Sequence, residues 1–295
     1  RGQEEYAPMT ITGGSLQSIV YRMPMASAQV KSAILLAGLY ANGTTRVQDF
    51  FSTRDHTERM AGLFGARIKK QGSWISVRGN TLLKSPGTIV IPGDISSAAF
   101  FLVAAALLPG SRLVIRAVSL NPTRTGILDV LRRRGARMRV SCKPAGKGEP
   151  YGDIMIRAGA LKAVTIKKAQ IPFLIDELPI IMVAACFASG RTVLKGVEEL
   201  RVKETDRVRS MTDNLAGMGA QIEVVRSRKG SEDIIINGTG RLSGAAVKSY
   251  GDHRTAMAMV VAGLAASGRT SIDDIGCISK SFPDFLQVLK SIIVR

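Results

Sequence analysis

The amino-acid sequence repeats one pattern four times, and this repetition constrains the fold more than any single motif does. Each copy has a capping residue, an alanine-rich apolar segment, a glycine and a β-branched run, and the copies start at residues 27, 94, 176 and 252. The pattern predicts a helix followed by a strand. In the first three copies a second helical segment follows and ends at Gly65, Gly135 and Gly219. Each unit therefore reads as helix–strand–helix–strand–strand, an α/β arrangement.

The two kinds of helix differ in their predicted burial. The first helix of each unit has little polar surface, so we expect it to be buried on all sides. The second helices carry charge on one face, and we expect these residues to face solvent: Arg132, Arg133, Arg134, Arg207 and Arg209. If the first helices converge, their amino termini place unpaired N–H groups and partial positive charge around one cleft, which favours an anion.

The overall charge points in the same direction. The chain has 41 Lys and Arg residues against 23 Asp and Glu residues, a formal net charge of +18 that attracts polyanions or small anionic substrates.

Three distant cysteines without a C-x-x-C pair support neither a disulfide framework nor a zinc site, and they favour a reducing, cytoplasmic compartment. Two histidines leave little material for a metal centre. No apolar run reaches membrane length.

Two charged motifs stand at helix starts. In EELRVKETDR, Lys203 and Arg207 are predicted to share a helix face, which is unfavourable for like charges unless an anion lies between them. The alternative is an ordinary solvated helix start. In DHRTAMA, Arg254 occupies a first turn, where it opposes the helix dipole and needs a negative partner. That partner is either a neighbouring acid or a substrate carboxylate or phosphate.

Three further candidate residues each have a functional and a purely structural interpretation. Asp176 precedes a nearly uncharged helix, where a carboxylate can take a proton from a hydroxyl. The alternative is a plain N-cap, as at the equivalent Asp94. Ser27 has the same alternative at its own helix start. Lys280 lies in a loop, where a lysine is usually only a solvated charge.

The motifs together resemble one family. PMASAQVKSAILLAGL, TRDHTERM, PGDISSAAF, NPTRTG, IDELP, EELRVKETDR, GDHRTAMA and SKSFPDF occur in this order, as in the 5-enolpyruvylshikimate-3-phosphate synthase family. TRDHTE and EELRVKE resemble its glyphosate-tolerant bacterial branch. The resemblance covers essentially the whole chain and implies an inside-out α/β barrel of repeated βαβαββ units in two domains, the first incomplete. We expect a partial N-terminal domain at residues 1–91, a C-terminal domain at residues 92–295, and a separate N-terminal fragment as a partner.

The resemblance also implies a reaction. The family transfers the enolpyruvyl (carboxyvinyl) group of phosphoenolpyruvate to the 5-hydroxyl of shikimate 3-phosphate and releases phosphate, in chorismate and aromatic amino-acid biosynthesis. It implies that Asp176 accepts the hydroxyl proton, and that Lys203 and Glu204 serve protonation and phosphate departure, without a metal or organic cofactor. The implied substrate-binding set is Ser27, Ala28, Gln29, Arg54, Asp176, Lys203, Arg207, Arg254 and Lys280.

Three alternatives remain open at this point. The sister enzyme that acts on UDP-N-acetylglucosamine usually carries a reactive loop cysteine and lacks RVKETDR, and Cys142, Cys186 and Cys277 have no basic, loop-like setting. The net charge of +18 suggests a nucleic-acid-binding protein, but no RNP, helix-turn-helix or zinc signature is present and aromatic residues are 5%. The third alternative is a folded but inactive fragment. We expect no specific nucleic acid and no membrane as partners.

Overall fold

The computed structural model describes residues 8, 10–143, 148–227 and 230–293. The chain forms two compact units, unit 1 (Arg1–Ile89) and unit 2 (Val90–Arg295). The helices are α1 (Ala28–Gly38), α2 (His56–Leu63), α3 (Ile95–Leu107), α4 (Gly126–Arg133), α5 (Leu178–Phe187), α6 (Arg207–Gly217), α7 (His253–Ala265) and α8 (Phe285–Ile292). Among the described residues, none of the helices is both long enough and apolar enough to cross a bilayer.

The strands alternate with these helices along the chain. They are β1 (Val20–Arg22), β2 (Thr44–Gln48), β3 (Ile68–Gln71), β4 (Trp74–Arg78), β5 (Arg112–Ser119), β6 (Arg137–Lys143), β7 (Tyr151–Arg157), β8 (Thr165–Ile166), β9 (Gly190–Lys195), β10 (Gln221–Arg226), β11 (Glu232–Gly238), β12 (Ala246–Val247) and β13 (Ser271–Ile272). The order helix–strand–helix–strand–strand recurs in the first three repeats, which confirms the sequence pattern. A short strand that pairs in parallel with the strand after the first helix precedes the first, third and fourth repeats.

Unit 1 is one four-stranded sheet covered by α1 and α2. Its strand order is β1-β2-β4-β3, and α1 connects the parallel pair β1 and β2 as a crossover. Its small core includes Leu35 of α1 and Val47, Ile75 and Val77 of the sheet. The expected all-round burial is wrong for α1, because the Leu36 side chain is 50% exposed.

Unit 2 is built around three apolar helices that pack against one another: α3, α5 and α7. Every residue of α5 from Leu178 to Cys186 is buried, and α3 is nearly as fully enclosed, so the predicted all-round burial is confirmed for these helices. The strands form a sheet with the order β5-β7-β6, a second with the order β10-β11-β9-β8, and the pair β12-β13. Helix α8 packs against the core of unit 2 through Phe285, whose ring centroid lies 5.3 Å from that of Phe101 in α3.

The second helices end as predicted but differ in which arginines they expose. Gly65, Gly135 and Gly219 have φ of +81°, +85° and +87°, the left-handed conformation that glycine adopts without strain. The predicted solvent exposure is wrong for Arg134 and Arg207, which are fully buried. The remaining members of that predicted set, Arg132, Arg133 and Arg209, are exposed.

The two buried arginines have different physical reasons for their position. Arg134 is the C-cap of α4, and its Nη1 lies 3.3 Å from the carbonyl oxygen of Lys162 and 3.4 Å from Thr192 Oγ1. Arg207 begins α6 and turns toward carboxylates at the starts of neighbouring helices. Helix periodicity does not reveal either position, because both residues lie at a helix end.

Candidate active site

The first turns of α3, α5 and α7 lie within side-chain contact of one another. Ser96 of α3 donates a hydrogen bond to Glu177, the N-cap of α5. Arg254 of α7 donates from Nη1 to the carbonyl oxygen of Asp176, 3.2 Å away, just before α5. The predicted convergence of helix starts is therefore confirmed for these three helices of unit 2.

Asp176 lies at the centre of this group. Its Oδ1 is 3.8 Å from Nη1 of Arg207, and its Oδ2 is 3.5 Å from Nη2 of Arg254. Glu177, not Asp176, occupies the N-cap position of α5, so the N-cap alternative for Asp176 is wrong. The Asp176 side chain keeps 16% of its surface exposed, which leaves a carboxylate that is flanked by two cations yet accessible.

Arg207 is the most deeply buried cation of the site. Its Nε lies 2.8 Å from Asp252 Oδ2, and its Nη2 lies 3.2 Å from Asp252 Oδ1 and 2.6 Å from Glu204 Oε2. Its remaining nitrogen, Nη1, is buried and has no hydrogen-bond partner in the described part of the chain. A buried N–H donor without a hydrogen bond costs about 1–3 kcal/mol, and Asp176 Oδ1 at 3.8 Å is too distant to accept one, so this atom can still donate to an anion that comes closer.

Asp252 is the N-cap of α7 and His253 is its first residue, and the pKa of each is shifted by its surroundings. Asp252 is buried and accepts the backbone N–H of Arg254 at 3.0 Å as N-cap. Burial by itself raises the pKa of Asp252, but the hydrogen bonds and charge of Arg207 outweigh it and hold that pKa below its usual value. Burial and the positive charge of Arg254 lower the pKa of His253, which favours a neutral imidazole beside this cationic group.

A second buried carboxyl group, Glu177, stands beside Asp176. Ser96 donates to it, and the Ser96 hydroxyl in turn accepts a hydrogen bond from Arg124 Nη2 at 2.6 Å. The same Arg124 nitrogen lies 3.0 Å from Asp94 Oδ1. Burial and the adjacent charge of Asp176 raise the pKa of Glu177 to about 7. Sequence analysis gave no role to Glu177, Ser96 or Arg124, although IDELP, PGDISSAAF and NPTRTG contain them.

The segment before α6 corrects the predicted like-charge pair. Lys203 follows a 3₁₀ helix (Glu198–Val202) and α6 begins only at Arg207, so the two cations do not share one helix face. The Nζ of Lys203 lies 2.6 Å from Glu199 Oε1, whereas Arg207 pairs with Glu204. Each cation has its own carboxylate, so repulsion between them gives no argument for a bound anion.

The structure groups most of the predicted residues of unit 2. Asp176, Glu204, Arg207 and Arg254 are joined by direct side-chain contacts. Lys280, which is exposed, donates from Nζ to the carbonyl oxygen of Gly251 at 3.3 Å, next to Asp252. Lys203 is adjacent in sequence to Glu204, but its ammonium group contacts Glu199. Asp252 is the main residue of this cluster that sequence analysis treated only as a cap.

The remaining predicted site residues lie in unit 1. Ser27 is the N-cap of α1 and accepts the backbone N–H of Val30 at 3.3 Å, so its capping role is confirmed. Ala28 and Gln29 form the first turn of α1, and the Gln29 side chain is exposed. Arg54 is half-buried just before α2.

The described residues contain no group of three or more His, Cys, Asp and Glu side chains that could hold a metal ion. The three cysteines are free, with Cys142 exposed and the other two buried. Burial raises the pKa of Cys186 to about 12 and also raises the pKa of Cys277. Neither buried thiol therefore resembles an activated nucleophile.

Comparison with known proteins adds an independent observation. The family model described as EPSP synthase (3-phosphoshikimate 1-carboxyvinyltransferase) matches residues 1–289. This chain belongs to the EPSP synthase family. Among curated members, the 3-phosphoshikimate 1-carboxyvinyltransferase of Geobacter sulfurreducens is 50% identical over 295 residues, which are 100% of this chain and 67% of that protein. The protein of the same name from Desulforamulus reducens is 48% identical with the same coverage.

Solved structures agree with this EPSP synthase assignment. The EPSP synthase of Acinetobacter baumannii superposes with a TM-score of 0.85 at 43% identity, over 94% of this chain and 63% of that chain. The α/β fold expected from the family resemblance is thereby confirmed. The enolpyruvyl transferase NikO from Streptomyces tendae has a TM-score of 0.74 at 17% identity, over 95% of this chain and 65% of that chain, which shows a shared fold alone. This chain spans about two thirds of the length of the curated relatives.

Proposed function

We propose that this chain carries the phosphoenolpyruvate-binding and acid–base residues of a 3-phosphoshikimate 1-carboxyvinyltransferase. The reaction transfers the carboxyvinyl group of phosphoenolpyruvate to the 5-hydroxyl of shikimate 3-phosphate and releases phosphate. Membership of the EPSP synthase family supports the proposal. The observation that carries it furthest is the buried Nη1 of Arg207, which donates no hydrogen bond within the described residues and faces Asp176 Oδ1 at 3.8 Å, with Arg254 on the same carboxylate.

Phosphoenolpyruvate carries two anionic groups that the guanidinium groups of this cluster can bind. Its carboxylate and phosphate groups both suit the planar fork of a guanidinium, which can bind them through two parallel hydrogen bonds. We assign these contacts to Arg207, Arg254 and Lys280. Arg207 is fully buried, so a hydrogen bond donated by its Nη1 is less screened by water than one at the surface.

The acid–base steps are assigned to the three catalytic candidates. Asp176 takes the proton of the 5-hydroxyl as that oxygen attacks the substituted vinyl carbon, and a proton is added to the methylene carbon. Loss of a proton from the resulting methyl group then expels phosphate and restores the double bond. We assign these carbon protonations and the phosphate departure to Lys203 and Glu204. For that role the Lys203 ammonium exchanges its contact with Glu199 for one with substrate.

Unit 1 is assigned to the shikimate 3-phosphate side of the reaction. We propose that Ser27, Ala28, Gln29 and Arg54 contact that substrate, and that residues 1–91 and 92–295 belong to two domains of a cytoplasmic enzyme.

A complementing polypeptide is part of the proposal. Leu36 of α1 is 50% exposed, and Tyr40, two residues beyond the end of α1, is 75% exposed. The equivalent helix α5, in contrast, is buried. We propose that further repeat units, supplied by a separate fragment, cover this apolar surface of unit 1.

A complementation experiment tests the function. This chain is mixed with a polypeptide covering the unmatched third of the Geobacter sulfurreducens relative, and phosphate release from phosphoenolpyruvate and shikimate 3-phosphate is measured. We expect the mixture to turn over, and Asp176→Asn or Lys203→Ala to reduce turnover by about 10²–10⁴-fold. Asp129→Asn and Lys195→Ala, which change exposed residues of unit 2, are the matched controls.

Each result has a defined meaning. A mixture that melts cooperatively yet releases no phosphate contradicts the proposed function. Full turnover by either catalytic variant removes that residue from the mechanism. A binding measurement on this chain alone is independent of complementation: phosphoenolpyruvate should raise the melting temperature, and Arg254→Gln should abolish the rise.

A further inference from the structure

The exposed side of the β5–β7–β6 sheet carries a row of three arginines. Arg157 of β7 is the register partner of both Arg112 of β5 and Arg137 of β6. Neighbouring strands lie about 4.8 Å apart, so the row spans about 10 Å. Like charges directly opposite each other on neighbouring strands destabilise a sheet, so this row opposes folding unless something neutralises it.

A second row beside it has an apolar centre. Arg139 of β6 pairs with Met155 of β7, and Met155 pairs with Val114 of β5. Val114 is 47% exposed, and Met155 is half-buried. We call the four side chains around this centre the arginine face: Arg112, Arg137, Arg139 and Arg157. Three of them, with Met155, line a recess of about 370 Å³.

The described residues do not neutralise the arginine face. None of its four guanidinium groups forms an ion pair with a described carboxylate, and the acid of this sheet pairs with a lysine instead. The single acid of these three strands, Asp153, is held by Lys143 at 3.3 Å and by the backbone N–H of Ala117 at 2.8 Å. The positive charge on this face is therefore available to a partner.

The next repeat shows that the fold does not require these arginines. In the related sheet the strands β9, β11 and β10 have the same pairing, and the row equivalent to Arg112, Arg157 and Arg137 holds Arg191, Asn237 and Gln221. The residue equivalent to Arg139 is Glu223. The concentration of guanidinium groups is thus a property of one repeat and not of the architecture.

We propose that the arginine face binds an acidic protein segment whose carboxylates flank an apolar side chain. Charge complementarity accounts for the carboxylates, and the recess over Met155 accounts for the apolar group. Arg and Met are enriched at protein–protein interfaces, whose centre is typically apolar. A single-stranded nucleic acid would instead use aromatic stacking platforms, and the aromatic residue of these strands, Tyr151, is covered by Lys143 Nζ, 6.0 Å from its ring centroid.

Binding of defined probes tests the proposal. The probes are a short fluorescent peptide of Glu and Asp with one central Leu, the same peptide with Ala for Leu, and a single-stranded oligonucleotide of equal charge. The test variant combines Arg137→Gln, Arg139→Gln and Arg157→Asn, two of which copy residues that the related sheet already holds. The control variant removes the same charge at other exposed positions of unit 2, by Arg132→Gln, Arg241→Gln and Arg269→Gln.

Anisotropy is measured near physiological salt, where weak non-specific attraction is screened. We expect the test variant to bind the Leu peptide at least tenfold more weakly, the control variant to change less than twofold, and the Ala peptide to bind more weakly than the Leu peptide. Equal loss in both variants would reduce the effect to net charge and overturn the proposal. Tighter binding of the oligonucleotide than of the Leu peptide would overturn it in favour of nucleic acid. Thermal melts of both variants verify folding.

Discussion

Arg207 Nε lies 2.8 Å from Asp252 Oδ2, and both side chains are buried. Arg207 is the first residue of α6 and Asp252 is the N-cap of α7, so this ion pair joins the starts of two helices. The pair holds the guanidinium in one orientation and leaves its Nη1 without a hydrogen-bond partner among the described residues. Its energetic contribution can be measured apart from catalysis.

The first prediction concerns Asp252→Asn. Removing one partner of a buried ion pair leaves the other charge uncompensated, so we expect the free energy of unfolding to fall by about 3–5 kcal/mol in urea titration. Asp94→Asn at the N-cap of α3 is the control, because its side chain is 50% exposed and Asn caps a helix as well as Asp does. Both variants keep an N-cap, so equal losses would show that the buried pair with Arg207 contributes no more than the half-exposed pair of Asp94 with Arg124.

The second prediction concerns the pH dependence that Glu177 creates. Burial and the charge of Asp176 raise the pKa of Glu177 from 4.5 to about 7 in the folded protein. The folded state therefore holds the proton of Glu177 more tightly than the unfolded state does. The free energy of unfolding falls as the pH rises from about 4.5 to about 7, because the unfolded state ionises first. Glu177→Gln stays neutral, so relative to wild type we expect it to gain up to about 3 kcal/mol between pH 5 and pH 8.

Melting temperatures of both proteins across this pH range check the Glu177 prediction. The difference between the curves isolates Glu177 from His253, whose own titration contributes equally to both. Parallel curves would mean that the Glu177 carboxyl ionises normally in the folded protein.

The third prediction concerns Arg134, which is buried where the equivalent residue of the next repeat is Met218. Burial is the main cause that lowers the pKa of Arg134 to about 10, and its Nε and Nη2 lack hydrogen-bond partners in the described region. Replacing a poorly compensated buried charge by a well-packed apolar residue often stabilises a protein. We expect Arg134→Met to raise the free energy of unfolding by about 1–4 kcal/mol, and Arg132→Met, at an exposed position, to leave it nearly unchanged.

Calorimetry or urea titration measures the free energy of unfolding of both variants. A lower stability for Arg134→Met would show that its hydrogen bonds to Lys162 and Thr192 outweigh the cost of burying the charge.

The fourth prediction concerns Lys31 of unit 1, a buried lysine on α1. Its Nζ lies 3.2 Å from Asp49 Oδ2 and 2.7 Å from Glu58 Oε1. Lys31→Met leaves these two acids without their cation, and we expect a loss of about 3–5 kcal/mol at pH 7. Lys69→Met, which changes an exposed lysine of β3, should cost little.

This loss should shrink in acid. Burial tends to raise the pKa of Asp49, but hydrogen bonds from Thr53 and the charge of Lys31 lower it overall. The stability that the ionised group provides is therefore lost as the pH falls through its folded pKa. Unfolding titrations at several pH values measure the change, and a loss independent of pH would assign the effect to packing of the lysine stem.

Repetition made much of unit 2 predictable. Buried helices such as α5, and second helices that end at a left-handed glycine such as Gly219, follow from local composition and spacing. The grouping of Asp176 with Arg254 followed from the idea that helix starts converge, although 78 residues separate the two. The predictions for Arg134 and for the burial of α1 failed, because neither a charge at a helix end nor an apolar helix face specifies what it will contact.

The sequence by itself determined the repeating α/β unit, the apolar character of the central helices and the family to which the chain belongs. Only the tertiary structure decided that Arg207 is buried against Asp252, that Lys203 pairs with Glu199, and that Glu177 is a buried carboxyl group beside Asp176. The physical reason is that periodicity and propensity describe neighbours along the chain. Ion pairing and desolvation depend on distances between side chains from different repeats.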